Sequence, residues 1–424
     1  IGEVSIVDSV PLEGAQVKFA EVRYREGDPE TYALPLCRAA DGTVIDALRE
    51  NEFNAALLDA IGRRRRFRGR VGVLQGARTS YFNRLRGSGD LTPHISGAEQ
   101  SNNSVIFGER MILKLFRRVE EGINPDLEVS HFLTEHGFPN VAPVTGALLY
   151  RRGRGEQNSA LAMLQGYVPN QGDGWSQALD ELARGDRGAI QHYESYAALL
   201  GRRTAEMHIT LASDSEDPAF APEPTTMLST RSVYQSIRGL GLQVIRQLRR
   251  QLNSLPQDAR VEAERVLELE PHLLPRLRSL LDRPIAARRI RTHGDYHLGQ
   301  VLFTGGDYVI VDFEGEPLRP LAERRLKRWA AKDVAGMLRS FTYAAETAKV
   351  DFGEEWADRA SRAFLTAYWA AAEGAPFASP TLAERELLLD AMLIEKALYE
   401  TRYELDNRPP WVRIPLRGLV RLLT

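Results

Sequence analysis

The chain has a single cysteine, Cys37. An internal disulfide and a clustered thiolate metal site are therefore excluded, and a reducing cytoplasm is the expected compartment. Long apolar runs are missing too: none approaches the ~20 residues a membrane-spanning helix needs, and no basic start with an apolar core marks a signal peptide. Net charge is nearly absent, with 55 basic against 57 acidic side chains, so there is no global field to attract nucleic acid or an anionic membrane. The first residue is Ile1 rather than Met, and a preceding native segment is expected. With 43% hydrophobic and 26% charged residues, global disorder is excluded. A length of 424 residues implies two or three compact units.

What is present is concentrated in residues 291–317. His293, Asp295, His297 and Gln300 stand in a short loop, followed by Val301-Leu302-Phe303, a Thr304-Gly305-Gly306-Asp307 turn and Tyr308-Val309-Ile310-Val311. β-Branched and aromatic residues around a Gly-rich connection predict a hairpin. Such a hairpin carries Asp295 before it and Asp312, Glu314 and Glu316 after it, so its folded-back ends bring acids together. Phosphoryl transfer to a hydroxyl needs one carboxylate to accept and orient the hydroxyl proton, and oxygen ligands to hold Mg²⁺ on nucleotide phosphates. Asp295 fits the first role; Asp312, with the Gln300 amide oxygen, fits the second. The spacing parallels the protein-kinase pattern H-R-D-x-x-x-x-N followed by D-F-G, with Gln300 in place of Asn and Glu314 in place of Gly. Any one of these acids alone reads as an ordinary strand-end residue; their order and spacing together point to a kinase.

Upstream, residues 4–7, 17–24 and 31–36 alternate as three antiparallel strands, backed by a helix over about 46–61. The run Arg63-Arg64-Arg65-Arg66-Phe67-Arg68 stands alone, without interleaved aromatics over any length, and reads as a solvated or acid-paired loop rather than a nucleic-acid patch. Residues 97–104 are small and polar between strands, so Ser101, Asn102 and Ser104 are candidates to lie over phosphates, although the loop is neither a Walker motif nor G-x-G-x-x-G. Lys114 interrupts the apolar strand Met111-Ile112-Leu113-Lys114-Leu115-Phe116, which implies an anionic partner for a charge otherwise costly there. In the kinase template that partner is nucleotide phosphate plus a helical glutamate, here Glu128. Ala160 to Gln165 runs into Gly166-Tyr167-Val168-Pro169, a hinge in which Gln165, Tyr167 and Val168 would meet the adenine edge.

The remainder is mostly helical. Residues 193–210 have a 3.6-residue apolar period, with His208 read as a packed histidine. Residues 212–225 are an acidic, Pro-rich loop, and 227–283 read as two helices broken near 253–256. Asp333, at the start of an amphipathic helix, either orients the catalytic loop or favours the helix N-terminus. A last helix over 379–406 carries Lys396, Glu400 and Tyr403, with Asn407 beyond, on one stripe, and Arg408-Pro409-Pro410-Trp411 follows. Carboxylate, amide and aromatic groups of this kind suit a sugar, or else form an exposed polar face.

The segment H-G-D-Y-H-L-G-Q with D-F-E-G-E-P resembles the aminoglycoside-phosphotransferase-like kinase superfamily, the bacterial maltokinases in particular. The likeness extends to Tyr399-Glu400-Thr401-Arg402-Tyr403-Glu404 and to the Trp411 turn. It implies an α+β, bilobal protein-kinase-like fold with an N-terminal β-rich cap (1–90), a nucleotide-binding small lobe and hinge (91–168) and a helical C-lobe (169–424), the acids converging in a cleft between lobes. It further implies transfer from ATP, with Mg²⁺, to the anomeric hydroxyl of maltose, giving maltose 1-phosphate for α-glucan (glycogen) synthesis. Asp295 would be the base, Gln300, Asp312 and Glu314 metal ligands, and His293, His297, Lys396, Glu400, Tyr403 and Trp411 sugar contacts. Fusion to, or association with, a trehalose synthase is a further implication. A kinase for glucosamine or another amino sugar would keep Asp295 and Asp312 and differ in its acceptor pocket, whereas the stripe ending in Trp411 favours a disaccharide. A pseudokinase-like binding module would normally lose Lys114, Asp295 or Asp312; all three are present.

Overall fold

A computed structural model describes residues 1–95, 103–153, 157–185, 188–317 and 319–424. The chain divides into two compact units, Ile1–Asn170 with Val309–Arg324, and Gln171–Tyr308 with Arg325–Thr424.

The first unit holds two antiparallel sheets. One joins Glu3–Leu12, Ala15–Arg23, Glu30–Arg38 and Arg118–Val119 in that order, with Val44–Asp46 also on Glu30–Arg38. The three expected N-terminal strands are thus present, and two short segments complete the sheet. The expected helix starts later, at Asn51–Gly62, because Glu50 is extended (φ −101°, ψ 120°) and Ala47–Arg49 forms only a 3₁₀ turn. The other sheet runs Arg66–Arg68, Val73–Arg78, Val144–Arg151, Ser159–Gly166, Met111–Leu115, Asn103–Phe107, Pro93–Ile95. Residue 90, expected to end a separate cap, falls inside this unit, and the sheet carries strands from both sides of it. Phe19, Leu57, Ile61, Leu74, Phe107 and Leu113 belong to one core. A buried carboxylate reinforces the connection: Asp8 accepts the N–H groups of Arg70, Val71 and Gly72 at 2.7, 3.2 and 2.9 Å and the Tyr150 hydroxyl at 2.8 Å. Burial would raise the Asp8 pKa, but these donors hold it below its ordinary value. The basic run is acid-paired, Arg63 with Asp59 at 2.6 Å and Arg65 with Glu13 at 2.9 Å.

The second unit is helical. Met227–Gln251, Gln257–Glu268, Leu382–Asn407 and Arg413–Leu423 share a core containing Val244, Leu248, Ala263, Ile394, Leu398 and Leu416. Residues 227–283 form three α-helices rather than two, since Pro271 forces a restart at Glu270–Arg278. Gly188–Leu211 lies along Gly353–Ala371, with the Tyr193 and Trp356 rings 4.5 Å apart.

The predicted hairpin is a two-stranded ribbon, Val301–Phe303 with Tyr308–Ile310, and the division between the units falls within it. In the helical unit Phe303 donates its N–H to the Gly172 carbonyl at 2.9 Å and accepts from the Gln171 N–H at 2.8 Å; in the sheet unit Ile310 donates to the Asn140 carbonyl at 2.8 Å.

Candidate active site

In Met111–Leu115, Met111, Leu113 and Leu115 are buried, so the period-two alternation turns Lys114 to the other face. There it lies opposite Ser104 in register. Its Nζ is 2.8 Å from Asp126 Oδ2 and 2.5 Å from Glu314 Oε1, and it also pairs with Asp312 Oδ1. Burial alone would lower the Lys114 pKa; the three carboxylates carry it well above the ordinary value. Glu314 is pushed the other way: burial, with the like charges of Asp312 and Asp126, raises its pKa despite Lys114. The α-helical acid on the lysine is Asp126, two residues before Glu128. Asn124 caps the helix Pro125–Glu135 by accepting the Leu127 N–H at 3.0 Å, and this start buries Asp126 completely while leaving Glu128 half-buried.

Asp312 is a non-glycine residue in the left-handed region, φ 70°. Aspartate tolerates that region better than most residues, at a cost of order 1–3 kcal/mol. The conformation is held one residue on, where the Phe313 N–H donates to Asp126 Oδ1 at 2.9 Å. Asp126, Asp312 and Glu314 each offer a carboxylate oxygen within 4.8 Å of the others. Hard oxygen donors in excess over one lysine, with one acid already driven toward protonation, fit a divalent cation such as Mg²⁺.

The helical unit carries the loop with Asp295. The helix Ala331–Ala348 frames it through three positions on one face. Asp333 accepts the His293 N–H at 2.7 Å and the Gly294 N–H at 2.9 Å, Ser340 Oγ accepts the Leu298 N–H at 3.0 Å, and Gly336 lets the helix approach so closely that a Cβ there would sit 2.4 Å from the Tyr296 carbonyl oxygen. Asp333 therefore orients the loop. Its further partner is His208 Nε2 at 3.0 Å, while His208 Nδ1 meets the Tyr368 hydroxyl at 3.0 Å; His208 is packed and satisfied, as expected. Lys396 Nζ donates to Asp295 Oδ1 at 2.9 Å. Burial opposes ionisation of Asp295, yet Lys396, His297 and His293 hold its pKa at about 2.

Several expected contacts have other partners. His293 is 1% exposed, and its backbone N–H is built into the loop's frame through Asp333. His297 Nδ1 accepts the Gly299 N–H at 3.1 Å at the head of the 3₁₀ turn Leu298–Gln300, which ends with Gln300. Lys396 is on Asp295. Glu400 is buried, with both Arg339 Nε (2.9 Å) and Nη2 (2.8 Å) on its Oε2; the stripe on this helix is not an exposed polar face. Tyr403 is 36% exposed, and the Arg408 guanidinium lies over both its ring and that of Trp411, at 5.4 and 5.1 Å. Trp411 also stacks with Tyr343, centroids 6.5 Å apart. In the hinge, the Gly166 and Tyr167 N–H groups are committed to the Pro143 and Arg110 carbonyls at 2.8 and 2.9 Å. Gln165 donates its side-chain amide to the Ala142 carbonyl at 3.4 Å. Val168 accepts from the Asn170 side-chain amide at 2.9 Å through its carbonyl. Ser101 and Asn102 lie outside the described residues.

A strand lysine bound to a helical acid, an aspartate ahead of a large apolar residue, and a second aspartate in a helix-framed loop define a kinase-type phosphotransferase. Residues 90–377 match the phosphotransferase enzyme family, APH, and the chain belongs to that family. It is 30% identical over 344 residues to the glucosamine kinase of Streptacidiphilus jiangxiensis, covering 77% of this chain and 72% of the relative. It is 28% identical over 408 residues to the glucosamine kinase of Mycolicibacterium smegmatis, covering 92% and 93%. A solved glucosamine kinase in complex with glucosamine, ADP and inorganic phosphate is similar over 100% of this chain and 94% of that one, with 25% identity and a TM-score of 0.73. The fold expectation is borne out; the relatives bear the name glucosamine kinase rather than maltokinase. Among the described residues no helix is long and apolar enough to cross a membrane.

Proposed function

We propose that this chain transfers the γ-phosphoryl group of ATP to a hydroxyl of an amino sugar of the glucosamine class. The observation that carries the reading is a glucosamine kinase bound to sugar, ADP and phosphate that parallels the whole chain, together with the retention here of Lys114, Asp295 and Asp312. Maltose, expected from the resemblance to maltokinases, becomes the competing acceptor, and the α-glucan and trehalose-synthase context stands or falls with it.

In this reading Lys114 and Ser104 serve the nucleotide phosphates, and Val168 the adenine edge. Asp312 and Glu314 would hold Mg²⁺, which when bound would neutralise charge on the phosphates. Asp295 takes the acceptor's proton. A carboxylate held at about pKa 2 is a weak base, so its main work is to orient the hydroxyl, which suits a loose transition state that gives up the proton late. An ammonium group needs a carboxylate, and Glu400 is the candidate because Arg339 engages only its Oε2. Tyr403 and Trp411 supply aromatic surface for the apolar face of a sugar ring.

The test is turnover of glucosamine, maltose, glucose and trehalose with ATP and Mg²⁺, the product being examined for an acid-labile anomeric phosphate or an acid-stable one elsewhere. Asp295→Ala should lower kcat by roughly 10²–10⁴ while ATP still binds. Turnover of maltose alone, or unchanged activity in the variant, would remove the proposal.

A further inference from the structure

Lys396 was expected among the sugar contacts, yet its ammonium lies on the reacting carboxylate. We propose that Lys396 is a positioning residue that fixes Asp295 through Oδ1 and so leaves Oδ2 as the oxygen presented to the acceptor hydroxyl. The proposal rests on Asp295 having the role given to it above.

Two helices divide the task. Ala331–Ala348 sets the backbone of the loop through Asp333, Gly336 and Ser340, but none of those bonds reaches the Asp295 side chain. Its rotation about the last carbon–carbon bond is set from Leu382–Asn407, where Lys396 donates at 2.9 Å. The lysine is confined in turn: its Nζ lies 5.2 Å from the centroid of the Tyr399 ring, within cation–π range, and the Lys396 and Asp295 side chains are only 15% and 21% exposed. A flexible ammonium held by a ring on one side and a carboxylate on the other has few rotamers left. The charges that act on Asp295 are Lys396 from this helix and His293 and His297 from its own loop, and together they keep it ionised against burial.

In the transfer, the acceptor O–H bond breaks and its proton passes to Oδ2. The acceptor oxygen forms a bond to the γ-phosphorus, and the bond from that phosphorus to the bridging oxygen breaks, its electron pair leaving with ADP. Lys396 exchanges no proton in this sequence. Losing it should disturb orientation rather than binding, because near-attack geometry matters most to the chemical step.

The experiment uses the full chain with K396M and K396R. Steady-state kinetics with glucosamine, ATP and Mg²⁺ should show kcat in K396M falling roughly a hundredfold with the sugar KM within about twofold, and K396R recovering most of the loss. Alongside, ¹³C-carboxyl aspartate labelling, with the Asp295 signal assigned by its loss in D295N, should show that carboxyl protonating at higher pH in K396M than in the parent chain. A raised sugar KM at unchanged kcat would make Lys396 a sugar contact and overturn the proposal, as would identical carboxyl titrations. The titration needs no acceptor, so a chain that turned over no amino sugar would end the proposed function while Lys396 was still tested. Loss of the dispersed spectrum in K396M would shift both readouts to K396R, where an unaltered Asp295 titration with preserved kcat supports the assignment and a raised KM alone overturns it.

Discussion

The Oδ1 of Asp126 accepts the backbone N–H of Phe313 at 2.9 Å. Its other oxygen is 2.8 Å from Lys114 Nζ, so one buried side chain ties the strand lysine to the residue after Asp312. Asp126→Ala should cost about 3 kcal/mol, the lower end for breaking a buried ion pair, because Asp312 and Glu314 remain on Lys114. Asp126→Asn keeps an acceptor for Phe313 and should cost about half as much. Urea denaturation reads both; equal losses would mean that the retained acceptor for Phe313 contributes nothing.

Asp312 combines a carboxylate with a strained backbone, and Asp312→Asn separates the two, since asparagine tolerates φ 70° as well as aspartate does. Its thermal midpoint should stay near that of the parent while the Mg²⁺ dependence of ATP binding disappears. Calorimetric titration with and without Mg²⁺ measures this, and unchanged affinity would take Asp312 out of the metal site.

Asp333 predicts a pH effect on stability. Burial raises its proton affinity, but His208, His293 and the Gly294 N–H more than reverse this, leaving the folded-state pKa below the ordinary 3.8. A carboxyl lowered on folding stabilises the fold above its unfolded-chain value, and that contribution is lost as the pH drops toward the folded value. Asp333→Asn should therefore be less stable than the parent by about 2 kcal/mol at pH 7, with a smaller gap at pH 3. A gap of constant size in urea midpoints would contradict this account.

Gly336→Ala places a Cβ 2.4 Å from the Tyr296 carbonyl oxygen. The helix or the loop must move, at a cost of about 1–3 kcal/mol, and the displaced loop should lower kcat more than it raises either KM. Equal activity and stability would show that the contact relaxes freely.

Much of this was legible in the sequence because it is local. The ribbon around Gly305 and Gly306, the lysine inside an apolar strand and the packed His208 follow from period, turn chemistry and the cost of an unpaired charge. What escaped depends on partners distant in the chain. Asp126 and Glu128 are both acids at one helix start, and only the phase set by Asn124 and Pro125 decides which is buried against Lys114. Glu400 reads as a sugar contact, or else as part of an exposed face, and nothing near it in sequence announces Arg339, 61 residues away. A signal was available for the helix that frames the loop: Asp333, Gly336 and Ser340 put small or polar residues at i, i+3 and i+7 in an otherwise apolar face, the pattern of a helix pressed against backbone.

The most direct test of the central claim is one-pot competition. The chain is given equal glucosamine and maltose with limiting ATP and Mg²⁺, and the phosphate esters are followed by ³¹P nuclear magnetic resonance, with Asp295→Asn as control. The account predicts amino-sugar phosphate as the main product and none above background in the control; maltose phosphate as the main product, or equal product from the control, would contradict it.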